Sequence, residues 1–255
     1  MKVVILAGGL GSRLADETKG VIPKPMITIG GVPILDHVIK LYVDQGLKDF
    51  VIATGHLHSV IDEHIFNNAV KYREWGIARL WATDTGEHTA IGGRIKRLFE
   101  NGDLEEGTFM MTYGDGLSDV NLKAVLALHE KLKAERDVVA TLTAVNPPNR
   151  FGKVAIRNGV CTAFSEKGYD RKNAINGGFY VIEPSVVDYI PGDTCVFERD
   201  VLPVLASNGM LGGFIHPGEF QMLDTRRDRS AMEKLWESND PFWLRWGSGK
   251  SSLVA

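Results

Sequence analysis

Cysteine is scarce in this chain of 255 residues: only Cys161 and Cys195 occur. Neither belongs to a CxxC pair or a histidine-rich ligand pattern, so the sequence excludes a disulfide framework and a cysteine-built zinc site. The expectation is two reduced thiols. Long apolar runs are also missing. The N-terminal stretch Met1-Lys2-Val3-Val4-Ile5-Leu6 turns to glycine after one short strand, too soon for a signal-peptide core or a membrane span. No other segment reaches about 18 consecutive apolar residues. A dominant charge is lacking as well: 29 Lys and Arg against 32 Asp and Glu leave a formal net charge of -3. A field of that sign and size does not draw a nucleic-acid backbone, although local basic residues can still bind a small anion. Repeats, low-complexity tracts and linkers are absent too. The chain reads as a cytoplasmic globular protein with no membrane or nucleic-acid partner.

What is present is ordinary globular composition, 44% hydrophobic and 24% charged, in a length that fits one domain. Lys2 to Leu6 is a β-branched run that reads as a buried parallel strand. Further strands are expected at 50–54, 79–82, 109–112 and 138–145. Helices are expected at 34–45, 58–68, 91–99 and 121–133. Alternation of strand and helix through residue 145 predicts an α/β fold, a Rossmann-like and mostly parallel mixed sheet flanked by helices. Beyond 145 the character changes. Short strands near 153–156, 160–165 and 174–182 carry turn signals at Asn158-Gly159 and Asn176-Gly177-Gly178. Helices near 198–206 and 225–238 follow. This is a smaller α+β part of the same body. The expected organisation is one domain over 1–246, with halves at 1–145 and 146–246, and a flexible tail at 247–255.

Ligands of open parallel sheets bind beyond the carboxyl ends of the strands. Two polar clusters fall there. Gly8-Gly9-Leu10-Gly11-Ser12-Arg13 follows the first strand. A loop without Cβ atoms lets backbone N–H groups approach phosphate oxygens, and Arg13 adds a charged fork for the same anion. The same glycines also suit a plain strand-to-helix turn. A dinucleotide fingerprint starting at Gly9 would need glycine where Leu14 stands, and no Gly-Lys-Ser/Thr completes a P-loop from Gly8. Lys24 lies between Pro23 and Pro25, which restrict its backbone and position its ammonium; a solvated surface lysine is the plain alternative. The second cluster is Gly114-Asp115-Gly116, after the strand at 109–112. Asp115 suits a turn as well as a ligand, and Asp224, ahead of Thr225, suits a helix start as well as a ligand. Arg94 has the adjacent Lys96 and Arg97 beside it, so a helix-surface arginine is the alternative there. His56, His58 and His64 have metal-compatible spacing, but no further ligand pattern joins them. Trp243 and Trp246 are expected to pack on the body or a neighbouring subunit.

Leu6-Ala7-Gly8-Gly9-Leu10-Gly11-Ser12-Arg13-Leu14 followed by Pro23-Lys24-Pro25-Met26 resembles the signature of the sugar-phosphate nucleotidyltransferases. Ile29-Gly30-Gly31-Val32-Pro33-Ile34-Leu35 continues the likeness. Asp84-Thr85-Gly86, Gly92-Gly93-Arg94, Thr112 to Gly116, Arg150-Phe151-Gly152, Glu166-Lys167, Asn176 to Phe179 and Met222 to Thr225 resemble the glucose-1-phosphate cytidylyltransferase branch. Two features depart from it: Gly168 stands where proline usually follows the Glu-Lys pair, and the stretch from about 66 to 83 is short.

The resemblance implies attack of a sugar-phosphate oxygen on the α-phosphorus of a nucleoside triphosphate, CTP in that branch, with loss of pyrophosphate. It implies Mg²⁺ held by Asp115 and Asp224. It places Leu6, Ala7, Gly8, Gly9, Gly11, Ser12, Arg13, Lys24, Tyr113 and Gly114 on the nucleotide. Arg13, Lys24, Arg94 and Lys167 would serve the reacting phosphates, and Glu166, Lys167, Asn176 and Gly177 the sugar phosphate. It also implies a homo-oligomer. The rivals are the same chemistry with UTP, dTTP or another acceptor, a non-catalytic nucleotide-sugar sensor, and a nicotinamide dehydrogenase. Retention of both aspartates, Arg13 and Lys24 counts against the sensor; Leu14 and Arg13 count against the dehydrogenase.

Overall fold

The computed structural model describes residues 1–11, 14, 18, 20–105, 107–146, 153–157, 160–165, 174–247, 249 and 253. The chain opens with β1 (Lys2–Leu6), the small antiparallel pair β2 (Thr28–Ile29) and β3 (Val32–Pro33), and helix α1 (Ile34–Val43). Next come β4 (Asp49–Thr54), α2 (His58–Asn67), α3 (Ala69–Glu74), β5 (Arg79–Asp84), α4 (Ile91–Glu100) and β6 (Phe109–Tyr113). The remainder runs β7 (Gly116–Ser118), α5 (Leu122–Arg136), β8 (Ala140–Val145), the hairpin β9 (Lys153–Arg157) and β10 (Val160–Ser165), and β11 (Ile175–Ile182). It closes with α6 (Leu202–Ser207), β12 (Leu211–Ile215), β13 (Phe220–Met222) and α7 (Arg226–Glu237).

Seven of these strands form one sheet in the order β12-β8-β11-β6-β1-β4-β5. β1 lies parallel to β4 and β6, β4 to β5, and β12 to β8. β11 runs against both β6 and β8. The expected mostly parallel mixed sheet is therefore present, and strands from both halves of the sequence interleave in it. Burial follows the period of two. Val3 and Ile5 of β1 join the core layer that contains Ile34, Leu35, Val38 and Trp243. Val4 and Leu6 join the opposite layer with Ile95, Leu98 and Phe197. Alternate side chains of one strand thus serve both faces.

The helix starts have local causes. At α5, Asn121 Oδ1 accepts from the Ala124 N–H at 3.0 Å. At α7, Thr225 and Asp228 form a reciprocal capping box. Among the described residues no helix is long and apolar enough to cross a membrane. Leu253 is fully buried, in a stretch where a flexible tail was expected; its apolar side chain joins the α1 face of the core. Trp243 is also fully buried, whereas Trp246 is exposed and its indole N–H reaches the Asp119 carbonyl at 3.2 Å.

Candidate active site

The glycine loop leaves β1 between the ends of its two neighbours. Ala7 N–H donates to the Ala53 carbonyl at the end of β4, and Gly114 N–H donates to the Leu6 carbonyl, at 2.8 and 2.9 Å. These bonds fix Ala7 and Gly114 side by side beyond the carboxyl ends of the strands. Leu6, Ala7, Gly8, Gly9, Gly11, Lys24, Arg94, Tyr113, Gly114, Asp115 and Asp224 line one cavity of about 410 Å³ there. Ser12 and Arg13, expected on the same phosphates, lie outside the described residues. The sequence reading gave no role to Thr89, Ala90 and Ile91, nor to Pro25 and Met222 within the motifs it quoted, and these five complete the wall. Nothing in their chemistry marks them; the start of α4 and the end of β13 bring four of them there, and Pro25 comes with its neighbour Lys24.

Asp115 and Asp224, far apart in sequence, meet through a two-stranded ribbon. β7 begins just after Asp115 and β13 ends just before Asp224, and the two pair antiparallel with Gly116 opposite Met222. Leu223 N–H donates to the Asp115 carbonyl at 2.9 Å, which extends the ribbon by one rung. Asp224 is then fixed by the start of α7, where the Asp228 carboxylate accepts from the N–H groups of Asp224 and Thr225 at 3.3 and 2.9 Å. Lys24 begins a single 3₁₀ turn (Lys24–Met26) after Pro23. Its ammonium lies 2.5 Å from Asp115 Oδ2 and 2.6 Å from Asp224 Oδ1. Both carboxylates therefore converge on one cationic position. An all-oxygen pair of this kind suits Mg²⁺, which prefers carboxylate oxygens and completes its shell with water and phosphate.

Arg94 departs from its expected place on phosphate. It is buried, and its guanidinium serves three carbonyl oxygens and a hydroxyl: Nη1 donates to Thr54 O, Gly86 O and Thr85 Oγ1, and Nη2 to Gly8 O, all at 2.7 to 2.9 Å. It braces the glycine loop against the end of β4 and the 85–87 turn. Gly8 has the composition this needs, because a Cβ there would lie 2.1 Å from Nη1. Burial lowers the Arg94 pKa, with the neighbouring Asp84 opposing. The first turn of α4 is likewise occupied by protein: Ala90 N–H donates to Asp193 O and Gly92 N–H to Cys195 O.

On the acceptor side, Glu166 and Lys167, with Gly168, lie outside the described residues, as does the Asn158-Gly159 turn. Asn176-Gly177-Gly178 was expected to be a turn and is instead a bulge inside β11. Pairing with β8 holds at Ile175–Val145 and Asn176–Ala144, shifts, and resumes at Tyr180–Leu142. Gly178 takes a left-handed φ of 78°, and a Cβ on it would strike the Tyr113 ring at 2.3 Å. The bulge brings the Asn176 amide to Tyr113 and Tyr180. Asn176 Nδ2 donates to Tyr180 Oη, the two phenol oxygens are 3.0 Å apart, and Tyr113 Oη donates to Glu198 Oε1.

The three histidines do not share a centre. His56 pairs with Glu87, His58 with Thr54 and His64 with Asp36. Among the described residues no group of three His, Cys, Asp or Glu side chains is arranged for a metal. Cys161 and Cys195 are both free thiols.

The nucleotidyl transferase family profile matches residues 2–218. The glucose-1-phosphate cytidylyltransferase of Salmonella typhimurium is 41% identical over 96% of this chain and its own full length. The D-glycero-alpha-D-manno-heptose 1-phosphate guanylyltransferase of Aneurinibacillus thermoaerophilus is 30% identical over 86% of this chain and 91% of its own. Among solved structures, HddC from Yersinia pseudotuberculosis superposes with a TM-score of 0.69 at 24% identity, over 92% of this chain and 99% of its own. UDP-glucose pyrophosphorylase complexed with UDP-glucose gives 0.68 at 17% identity, over 93% and 98%. With the glycine loop, both aspartates and Lys24 in one cavity and these likenesses across nearly the whole length, the chain belongs to the nucleotidyl transferase family.

Proposed function

We propose that this enzyme transfers a cytidylyl group from CTP to α-D-glucose 1-phosphate, giving CDP-glucose and pyrophosphate. The observation that carries the reaction class is the convergence of Asp115, Asp224 and Lys24 beside the glycine loop. The choice of CTP and glucose 1-phosphate is supported by the 41% identical relative that spans the full length.

One sugar-phosphate oxygen forms a bond to the α-phosphorus while the bond to the pyrophosphate oxygen breaks. The nucleophile is already ionised, so no general base is needed. Alignment and neutralisation of two anions are the main tasks. Amide groups of the Gly8–Gly11 loop, with Ser12 and Arg13, cradle the triphosphate. Tyr113 and the backbone of Leu6, Ala7, Gly9 and Gly114 face the nucleoside. Lys24 brings a positive charge against the loop, where Gly11 allows its stem within van der Waals reach. Asp115 and Asp224 are the residues that would hold Mg²⁺. When bound, it would neutralise charge on the phosphate oxygens. Lys167 neutralises the sugar phosphate, Glu166 accepts from sugar hydroxyls, and Asn176 and Gly177 present side-chain and backbone groups to the sugar. The same reading makes the enzyme a cytoplasmic homo-oligomer.

Pyrophosphate release with CTP, Mg²⁺ and glucose 1-phosphate is the direct test, beside UTP, dTTP, ATP and GTP and a blank without acceptor. Release confined to CTP with the sugar phosphate is expected. Equal or faster release with another triphosphate removes cytidine from the reading and keeps the class. Asp224→Ala should lower turnover about 100-fold or more, the size expected for losing a transition-state electrostatic contact, and should weaken Mn²⁺ binding in a direct titration. A fully active variant refutes the metal assignment.

A further inference from the structure

Tyr113 stands where the nucleotide wall meets the acceptor strand. Tyr113 lines the cavity, and its hydroxyl enters a row with Tyr180 and Glu198, two residues that the proposed chemistry does not otherwise use. The direction of that row is fixed from its ends. An ionised carboxylate only accepts, so Tyr113 Oη–H donates to Glu198 Oε1. The Asn176 Nδ2 group only donates, and it reaches Tyr180 Oη and, at 3.5 Å, Tyr113 Oη. Tyr180 Oη–H is left to donate across 3.0 Å to Tyr113 Oη. Burial raises the pKa of Tyr180 to about 12 and that of Tyr113 higher still, so both phenols keep their protons. The other end of the amide is held too, because Asn176 Oδ1 accepts from the Gly178 N–H at 3.0 Å.

Glu198 arrives by an unusual route. It lies on a single π turn, Phe197–Val201, that runs directly into α6. Such wide turns are rare and recur at functional sites. Phe197, beside Glu198, is fully buried and packs edge-on to Tyr180 with ring centroids 5.9 Å apart. The carboxylate is thereby carried to the Tyr113 hydroxyl.

We infer that Glu198 is a positioning residue for the acceptor: it anchors the Tyr113–Tyr180 row that holds the nitrogen end of the Asn176 amide in place at the sugar. This rests on the proposed role of Asn176 at the sugar. Without a fixed acceptor at the end, both hydroxyl protons can reverse. Tyr180 Oη–H can then turn toward Asn176 Nδ2 and displace the amide nitrogen, while the Gly178 N–H keeps the amide from turning over.

The test is steady-state kinetics with both substrates varied, on the wild type and on Glu198→Ala, Glu198→Gln and Tyr113→Phe. In Glu198→Ala the KM for sugar phosphate should rise about tenfold, the scale of one displaced hydrogen bond to substrate. The KM for the triphosphate should change less than about threefold on the same scale. Glu198→Gln keeps a carbonyl oxygen at nearly the same volume and should restore most of the acceptor KM. Tyr113→Phe should reproduce the alanine effect, and the double variant should be no worse than either single one, because all act through one row. An unchanged acceptor KM in Glu198→Ala, or equal rises in both KM values, overturns the inference. So does a Glu198→Gln variant as impaired as the alanine one. If the wild type turns over no triphosphate with any sugar phosphate, the proposed function fails and takes this inference with it. If the wild type is active, failure of the variants to discriminate sinks this inference alone.

Discussion

The two cationic residues of the site with described side chains have opposite fates. Lys24 reaches carboxylates and keeps a point charge beside the phosphate loop. Arg94 is buried among carbonyl oxygens from Gly8, Thr54 and Gly86. The difference follows from chemistry: a planar guanidinium with five donors can satisfy several carbonyls at once, and an ammonium cannot match that fork. Arg94→Lys should therefore leave buried carbonyls without donors and cost about 3 kcal/mol. For a chain of this size that is a fall of roughly 6 to 12 °C in the melting midpoint. The KM for the triphosphate should rise in the same variant, because the loop is no longer braced. Differential scanning calorimetry separates the roles, since an arginine that only touched phosphate would raise KM and leave the midpoint in place. The role of Arg94 was not legible in the sequence. Apart from the Thr85 hydroxyl, its acceptors are backbone carbonyls from three separate segments, and no residue pattern records where a carbonyl points. Lys24, by contrast, was singled out in the sequence, by its flanking prolines only together with the glycine loop before it.

At the scale of elements, hydrophobic period and stop signals placed β1, β4, β6, α1 and α4, whose packing is set by their own side-chain pattern. The elements that went unread are those whose state depends on a partner. β7 (Gly-Leu-Ser) and β13 (Phe-Gln-Met) are too short to show a period, yet their pairing is what brings Asp115 to Asp224. β12 contains Gly212 and Gly213 and lacks strand propensity of its own; it is a strand because β8 offers an edge. α3 follows α2 after a break at Asn68, whose φ of -106° ends the first helix. The ribbon leaves Asp224 dependent on the start of α7. Thr225→Ala removes the acceptor for the Asp228 N–H and should cost about 1 kcal/mol, as for other N-caps. Because the same box holds the Asp224 backbone, the Mg²⁺ concentration for half-maximal activity should rise several-fold while saturated turnover changes little. A Mg²⁺ titration of Thr225→Ala that overlays the wild type would show that the ribbon alone positions Asp224.

The whole molecule is closed by its C-terminal segment, and the closure contains a buried titratable group. His37 on α1 is fully buried. Its Nε2 donates to the Ile29 carbonyl at 3.0 Å, and its Nδ1 accepts from the Trp243 indole at 3.0 Å. Trp236 and Trp243 pack against the ring edge-on. A neutral imidazole satisfies both contacts; a second proton would face the indole N–H. Burial accordingly pulls the His37 pKa from 6.5 to about 4, against the raising effect of the Ile29 carbonyl and Asp36. The folded protein thus binds this proton less readily than the unfolded chain does. The sign is fixed by that difference: stability is fully present above about pH 6.5 and is lost as the pH falls toward about 4. The shift corresponds to about 3 kcal/mol over that window. Asp36, beside it on α1, acts in the same direction at lower pH. Burial raises its pKa, but the bonds from His64 and Tyr72 and the charge of Lys71 lower it overall, so its contribution disappears as it is protonated. Urea midpoints measured from pH 7.5 to 4.5 should fall steadily below 6.5. His37→Gln, which can still accept from Trp243 and donate to Ile29, should flatten the upper part of that curve while leaving the carboxylate-driven loss below it. Identical pH profiles for the two proteins would mean that the seal between the C-terminal segment and α1 does not sense the proton, and that the acid limit of this fold is set by its carboxylates alone.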